Sequence, residues 1–160
     1  MAFAIAQATS IDQLDAVRAL CREYANGLGV DLDETQNLSR ELATLPGDYA
    51  PPRGCLLLAI TSAVGEPAGC VAMRPLSGTI CEMKRLYVRP AYRASGLGRE
   101  LVRRVLDQAR AQGYRAMRLD TLPERMHRAV ALYREFGFVS IPAYWNNVLP
   151  GAAYMELELR

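Results

Sequence analysis

Apolar residues recur along this chain with two periods, and the places where the period changes mark out its elements. Phe3 to Ala8 alternates apolar and polar positions as a half-buried strand does. Ser10 stands three residues before Gln13, the spacing of a capping box, and Ile11, Leu14, Val17, Leu20, Cys21 and Tyr24 then return at helical spacing until Asn26-Gly27 and Gly29. A second helix is expected from about Asp33 to Leu45, with Asp31, Asp33 and Glu34 at its positive end. Leu45 to Gly54 is dense in proline and glycine and reads as a loop. Cys55–Thr61, Ala68–Pro75 and Thr79–Val88 follow as three strands, with turns at Gly65-Glu66-Pro67 and Ser77-Gly78 short enough for an antiparallel meander. An amphipathic helix from Gly98 to about Gln112 buries Leu101, Val102, Val105, Leu106 and Ala109 and stops at Gly113. Ala116–Asp120 is a short strand, Arg125–Phe136 a helix ended by Gly137, and Phe138–Ile141 and Ala153–Leu159 closing strands around a long loop.

The resulting order is β-α-α-β-β-β-α-β-α-β-β. The crossover from the strand ending at Val88 through the amphipathic helix demands a parallel neighbour. The expected fold class is therefore α/β in the α+β sense, a mostly antiparallel mixed sheet with one parallel pair. A length of 160 residues fits a single domain over 1–160, and 51% hydrophobic residues supply a core. The start lacks a basic leader region and no run approaches the ~20 apolar residues of a membrane span, so a cytoplasmic protein without membrane contact is expected. Cys21, Cys55, Cys70 and Cys81 show no C-x-x-C pair and read as reduced core cysteines, with no metal expected. Eighteen arginines against the single Lys84 suggest a GC-rich bacterial genome.

Charge alters this picture in one place. Seven basic residues and one acid fall between Lys84 and Arg104, while the whole chain carries only +2. Within that window Arg93-Ala94-Ser95-Gly96-Leu97-Gly98-Arg99 opens the amphipathic helix, and a glycine-rich turn at a helix start lets bare backbone N–H groups converge on an anion. A P-loop is excluded, because Lys84 precedes the turn. A dinucleotide fingerprint needs a third glycine where Leu101 stands, although Asp120 mimics its ribose-binding acid. What remains is R-x-x-G-x-G, which resembles the acyl-CoA pyrophosphate motif of the GNAT N-acetyltransferase superfamily. Ala129-Val-Ala-Leu132-Tyr133-Arg-Glu-Phe-Gly137-Phe138 is similar to that family's A-x-x-L-Y-x-x-x-G-F segment, and the element order matches over essentially the whole chain. Cys81-Glu-Met-Lys-Arg-Leu-Tyr-Val-Arg-Pro90 and Met117–Leu122 resemble a bacterial branch of small acetyltransferases.

The resemblance implies the GNAT fold with its parallel pair splayed, and an acetyl-CoA-dependent enzyme acting on an amine, most simply a small molecule, in a ternary complex. It implies that the backbone of Leu86, Tyr87 and Val88 pairs with the pantetheine arm, one N–H serving as oxyanion donor. The pyrophosphate would lie on the amides of Arg93, Ala94, Ser95, Gly96, Leu97, Gly98 and Arg99. Asp120 and Met126 complete the cofactor-facing set; Met126 replaces the Asn that many relatives carry there.

Tyr133 is the candidate general acid for the leaving thiolate, against the alternative of a core aromatic on an apolar helix face. Glu82, four residues before Leu86, is the candidate base, against that of a strand carboxylate paired with Lys84 or Arg85; Asp120 is the reserve. His127, the only histidine, has no partner in register and reads as a solvated helix residue. For the acceptor, Tyr24, Asp31, Tyr49, Tyr144 and Trp145 are candidates, with Asp33, Glu34, Asn146 and Asn147 beside them. Helix capping is the alternative for the acids, and the loop Trp also suits a contact between two copies of the chain. A non-catalytic acyl-CoA-binding module remains the competing reading. A nucleic-acid reader is disfavoured, because the basic helix interleaves acids and carries no stacking aromatics.

Overall fold

A computed structural model of the chain describes residues 2–145 and 149–160. Asn146 and Asn147 lie outside the described residues, as does the side chain of Glu34. The strand β1 (Phe3–Gln7) leads into α1 (Ile11–Leu28), whose capping box forms as the spacing predicted: Ser10 Oγ accepts from Gln13 N at 3.1 Å and Gln13 Oε1 accepts from Ser10 N at 3.1 Å. Such a cap stabilises the helix by about 1 kcal/mol. α1 runs through Asn26-Gly27 and ends at Gly29, which takes the left-handed conformation.

The predicted second helix is two short ones, α2 (Leu32–Gln36) and α3 (Leu38–Ala43). Asn37 sits between them at φ 52°, a left-handed residue that no continuous helix accommodates. The Asp33 side chain stitches the break by accepting from the backbone N and hydroxyl of Ser39. Within the predicted loop, Gly47–Tyr49 forms a single 3₁₀ turn.

The meander is β2 (Cys55–Thr61), β3 (Pro67–Ser77) and β4 (Ile80–Val88), followed by α4 (Leu97–Ala111), β5 (Ala116–Thr121), α5 (His127–Phe136), β6 (Val139–Ile141) and β7 (Ala153–Glu158). α5 starts two residues later than predicted, because Arg125 and Met126 close a turn onto Leu122 O. One seven-stranded sheet results, ordered β1-β2-β3-β4-β5-β7-β6, with every pair antiparallel except β4–β5.

One face of the sheet packs against α4 and α5, burying Val71, Met73, Leu101, Val105 and Tyr133; the other takes α1 to α3, burying Leu20, Leu42, Leu56 and Cys70. Truncating a core leucine such as Leu101 to alanine would cost about 2–5 kcal/mol. All four cysteines are free and buried, as predicted, and burial pushes Cys55 up to about 11 and Cys81 to about 12, so these thiols stay protonated and unreactive. No helix among the described residues is long and apolar enough to cross a membrane.

Two irregularities in β4 place the site. Its parallel pairing with β5 covers only Ile80–Glu82 against Ala116–Arg118, after which both strands continue unpaired with each other. Within that gap the β3–β4 register shifts: Cys70 faces Tyr87 and Ala72 faces Lys84, leaving Arg85 and Leu86 opposite Val71 alone. Arg85 pays for this bulge with φ 60°, a strained value for a side-chain-bearing residue.

Candidate active site

The gap beside β4 opens into a cleft of about 650 Å³. Leu86, Tyr87 and Val88 line one side; Arg93, Ala94, Leu97 and Gly98 close one end; Met126, His127, Arg128, Ala129 and Leu132 form the far wall. The cleft thus brings Arg93, Ala94, Leu97 and Gly98 of the phosphate-type motif together with Leu86, Tyr87 and Val88 of β4, whereas Ser95, Gly96 and Arg99 do not line it.

The turn is held from within. Ser95 Oγ donates to Tyr92 O, Arg93 Nε donates to Val88 O at 3.0 Å, and the Arg93 guanidinium sits 5.8 Å from the centre of the Tyr87 ring. Gly96 caps α4 at φ 87°, in the left-handed region, with open space where a Cβ would stand. A Cβ at Gly98 would meet only ordinary contacts, with Leu132 at 3.7 Å and Val88 at 3.8 Å. The protein's own packing therefore does not require glycine at 98, which faces the cleft.

The basic window behaves differently from its sequence appearance. Arg99 pairs with Glu135, Arg103 with Glu100 and Asp107, Arg89 with Glu23 at 2.9 Å, and Arg85 with Glu41 at 2.8 Å. Among the basic residues of the window, Arg93 alone lines this cleft, where Arg125, just before α5, and Arg128, in its first turn, join it. Pattern reading missed both arginines, because they belong to another segment and carry no motif of their own.

At the inner end of the cleft lies a narrower pocket with about 30 Å³ of free volume, lined by Tyr24, Leu28, Gln36, Lys84, Leu86, Asp120, Met126 and Tyr133, with Leu149 and Ala152 on the loop side. Tyr24 and Leu86 line both spaces, so the two are continuous. Tyr133 is buried, rests 5.7 Å from the Phe138 ring centre, and burial drives its pKa far above the ordinary phenol range. It is therefore a core aromatic, as one of the two readings from sequence had it, and it also lines the pocket with its phenol held protonated. Tyr24 packs edge-on to Tyr87, and burial pushes its hydroxyl to about 12.

Glu82 occupies a different environment from the one its spacing suggested. It is 0% exposed, and its partners are neither Lys84 nor Arg85. Oε1 accepts from Arg74 through Nε and Nη2, both at 3.0 Å, while Oε2 accepts from Tyr144 Oη at 2.8 Å and Trp145 Nε1 at 2.9 Å. Arg74 also lies 5.8 Å from the Trp145 ring centre and Arg118 5.4 Å from that of Tyr144. These rings, predicted as acceptor walls, seal the carboxylate. Asp120, the reserve candidate, is the acid that lines the pocket with Leu86 and Tyr133.

The remaining candidates are scattered. Asp31 Oδ1 accepts from Asp33 N at 2.9 Å at the start of α2, the capping role weighed for it. Tyr49 is buried and donates to Glu41 at 2.8 Å, lining a separate hollow of about 290 Å³ with Arg74 and Arg40. Among the described residues no group of His, Cys, Asp or Glu could hold a metal.

Comparison with known proteins agrees with this architecture. Residues 16–138 match the acetyltransferase (GNAT) family. An uncharacterized N-acetyltransferase of Schizosaccharomyces pombe is 42% identical over 147 residues, 91% of this chain and 88% of that protein. The IAA acetyltransferase of Azospirillum brasilense is 36% identical over 124 residues, 78% of this chain and 77% of its own. A GNAT acetyltransferase structure from Staphylococcus aureus superposes with a TM-score of 0.81 at 17% identity, covering 99% of this chain and 100% of that one. The relatives come from yeast as well as bacteria, so this likeness does not single out the bacterial branch suggested by the sequence. A bulged β4 splayed from β5, a glycine turn opening α4, and the match over 16–138 lead to one conclusion: this chain belongs to the acetyltransferase (GNAT) family.

Proposed function

We propose that this chain transfers the acetyl group of acetyl-CoA to the primary amine of a small acceptor, by direct attack while both are bound. The observation that carries the reading is the bulge at Arg85–Leu86, which frees the edge of β4 along a cleft with a phosphate-type turn at one end and Tyr133 with Asp120 at the other. The cleft suits the cofactor: the backbone of Leu86 to Val88 can extend the sheet by pairing with an amide-bearing arm, and Gly96 and Gly98 present no side chain to a pyrophosphate. When bound, acetyl-CoA supplies an activated acyl thioester.

The chain's residues then divide the work. An N–H of the bulged segment at Leu86 polarises the carbonyl oxygen. An amine with a pKa of about 10 must lose a proton before it can attack, and Asp120, which lines the pocket, takes it in this reading. As the new N–C bond forms and the C–S bond breaks, Tyr133 protonates the sulfur and the amine's second proton leaves to solvent. Asp120 then gives its proton to solvent and the phenol is refilled from solvent, so one proton is released per turnover. Burial holds Tyr133 protonated, and a thiolate forming in the same dry pocket is made more basic by the same desolvation. Glu82, with both oxygens occupied by three side chains, serves as the anchor of the loop that carries Tyr144 and Trp145.

The names of relatives are consistent with small acceptors: one is an IAA acetyltransferase and another a thialysine N-epsilon-acetyltransferase. The test is to follow free thiol release from acetyl-CoA across a panel of small amines. Amine-dependent release with one acetylated product per thiol is expected. CoA binding with no release above the hydrolysis background would make the chain a binding module instead.

A further inference from the structure

The acceptor end of the site holds one cation and one anion that only loosely satisfy each other. Lys84 Nζ donates to Gln36 Oε1 at 3.2 Å but stands 3.6 Å from Asp120 Oδ1, beyond hydrogen-bond length. Gln36 Nε2 reaches Asp120 Oδ2 only at 3.5 Å. The neighbouring cation is committed elsewhere: Arg85 gives Nε and Nη2 to Glu41 and Nη1 to Gln36. The Lys84 side chain is 5% exposed, and an ammonium has three protons to place. Among the described residues, its partners are the Gln36 carbonyl and the distant Asp120 carboxylate. Burial lowers the Lys84 pKa and Asp120 offsets this only in part, so the site favours the arrival of a second anion.

We infer that the acceptor is an α-amino acid, with its amine on Asp120 and its carboxylate on Lys84. This deepens the proposed function and rests on its assignment of Asp120. The spacing selects the class. Two protein charges 3.6 Å apart are met together only by a ligand whose own charges are about as close. Bonds of roughly 1.5 Å on either side of Cα put the amine nitrogen and carboxylate carbon of an α-amino acid about 2.5 Å apart. An ω-amino acid holds its charges several bonds further apart, and a diamine brings no anion for Lys84. Leu28, Leu32, Leu122 and Leu149 line the pocket beside Arg85 and Thr121, and the free volume is small, so the accompanying side chain is small.

The experiment compares glycine, alanine, valine and leucine with their amides, with the matching simple amines, and with 6-aminohexanoate, using acetyl-CoA and the unmodified chain. Each amino acid should exceed its amide in kcat/KM by roughly ten- to hundredfold, the effect of one charge-assisted contact. The amide's amine is the less basic, so the comparison is biased against this result. In Lys84→Met the acid-to-amide ratio should fall to near one. An independent readout is binding: amino acids, and not their amides, should raise the Tm of the CoA-saturated protein. Equal rates for acids and amides would overturn the inference and leave the transferase reading standing. No thiol release with any compound, and no acid-specific Tm rise, would overturn both. If Lys84→Met does not fold, the ratio measured on the unmodified chain decides.

Discussion

In the proposed reading the cleft beside α4 and α5 works mainly through backbone, whereas the pocket beneath α1 and α2 works mainly through side chains. The first half is made by a bulge, an unpaired strand edge and a left-handed glycine, so many side chains could decorate the same geometry. The second half is made by Lys84, Asp120, Gln36 and Tyr133, gathered from α2, β4, β5 and α5. A backbone surface can hold a cofactor common to a whole family. A side-chain surface can be re-cut for each acceptor. Substitutions should follow this division: single side-chain changes silence the second half, while the first yields only where backbone conformation is forced.

The largest effect is expected at Asp120. Asp120→Asn keeps volume and hydrogen bonding but cannot take the amine's proton, so kcat/KM should fall by about 10³-fold. The Tm rise on adding CoA should be unchanged, because Asp120 lines the inner pocket and not the cofactor cleft. Full activity in this variant would return the base to Glu82, and Glu82→Gln would then be the variant that loses turnover.

Tyr133→Phe comes next, with an expected loss of about 10²-fold in kcat. The ring's packing against Phe138 is retained, so stability and CoA affinity should hold. A rate within twofold of the parent would leave Tyr133 a core aromatic only.

On the cofactor side, Gly96→Asp should abolish the CoA-dependent stabilisation, about 2.7 kcal/mol at a hundredfold excess over Kd. Two causes act together: φ 87° strains any residue with a Cβ, and a carboxylate there repels a pyrophosphate. Gly96→Asn separates them, since asparagine bears much the same backbone cost as aspartate but carries no charge. It should recover part of the CoA shift. If Gly96→Asp folds and binds CoA as the parent does, the pyrophosphate lies elsewhere.

The same division explains what the sequence disclosed. Strands and the long helices follow from local periodicity and turn chemistry, the parallel pair follows from the crossover, and its splay was implied only by the family resemblance; the phosphate-type turn is contiguous, so it was readable as a motif. The break at Asn37 was not, because Asp33-Glu34 and Leu38-Ser39 look helical on both sides and only the Asp33–Ser39 contacts reveal the interruption. Glu82 was found by spacing but misassigned in its partners, since Arg74 is a cross-strand neighbour from β3 and Tyr144 and Trp145 arrive from 62 and 63 residues away. Lys84 was read as the start of the basic window and as a possible partner for Glu82, never as part of the acceptor pocket. No linear pattern joins it to Gln36 and Asp120.

The smallest expected effect is the sharpest test of backbone against side chain, and it concerns Arg99. Its position in R-x-x-G-x-G-R invites a phosphate contact, yet its guanidinium pairs with Glu135 on the surface, both side chains being more than half exposed. Exposed pairs of this kind contribute about 0–1 kcal/mol. Arg99→Gln removes the charge but leaves the residue's backbone N–H in the first turn of α4, where an anion would meet it. The Kd for CoA should therefore change by no more than about twofold, and thermal stability by less than about 1 kcal/mol. A loss of tenfold or more would mean that Arg99 leaves Glu135 to grip the phosphate, and that the cofactor half also depends on its side chains.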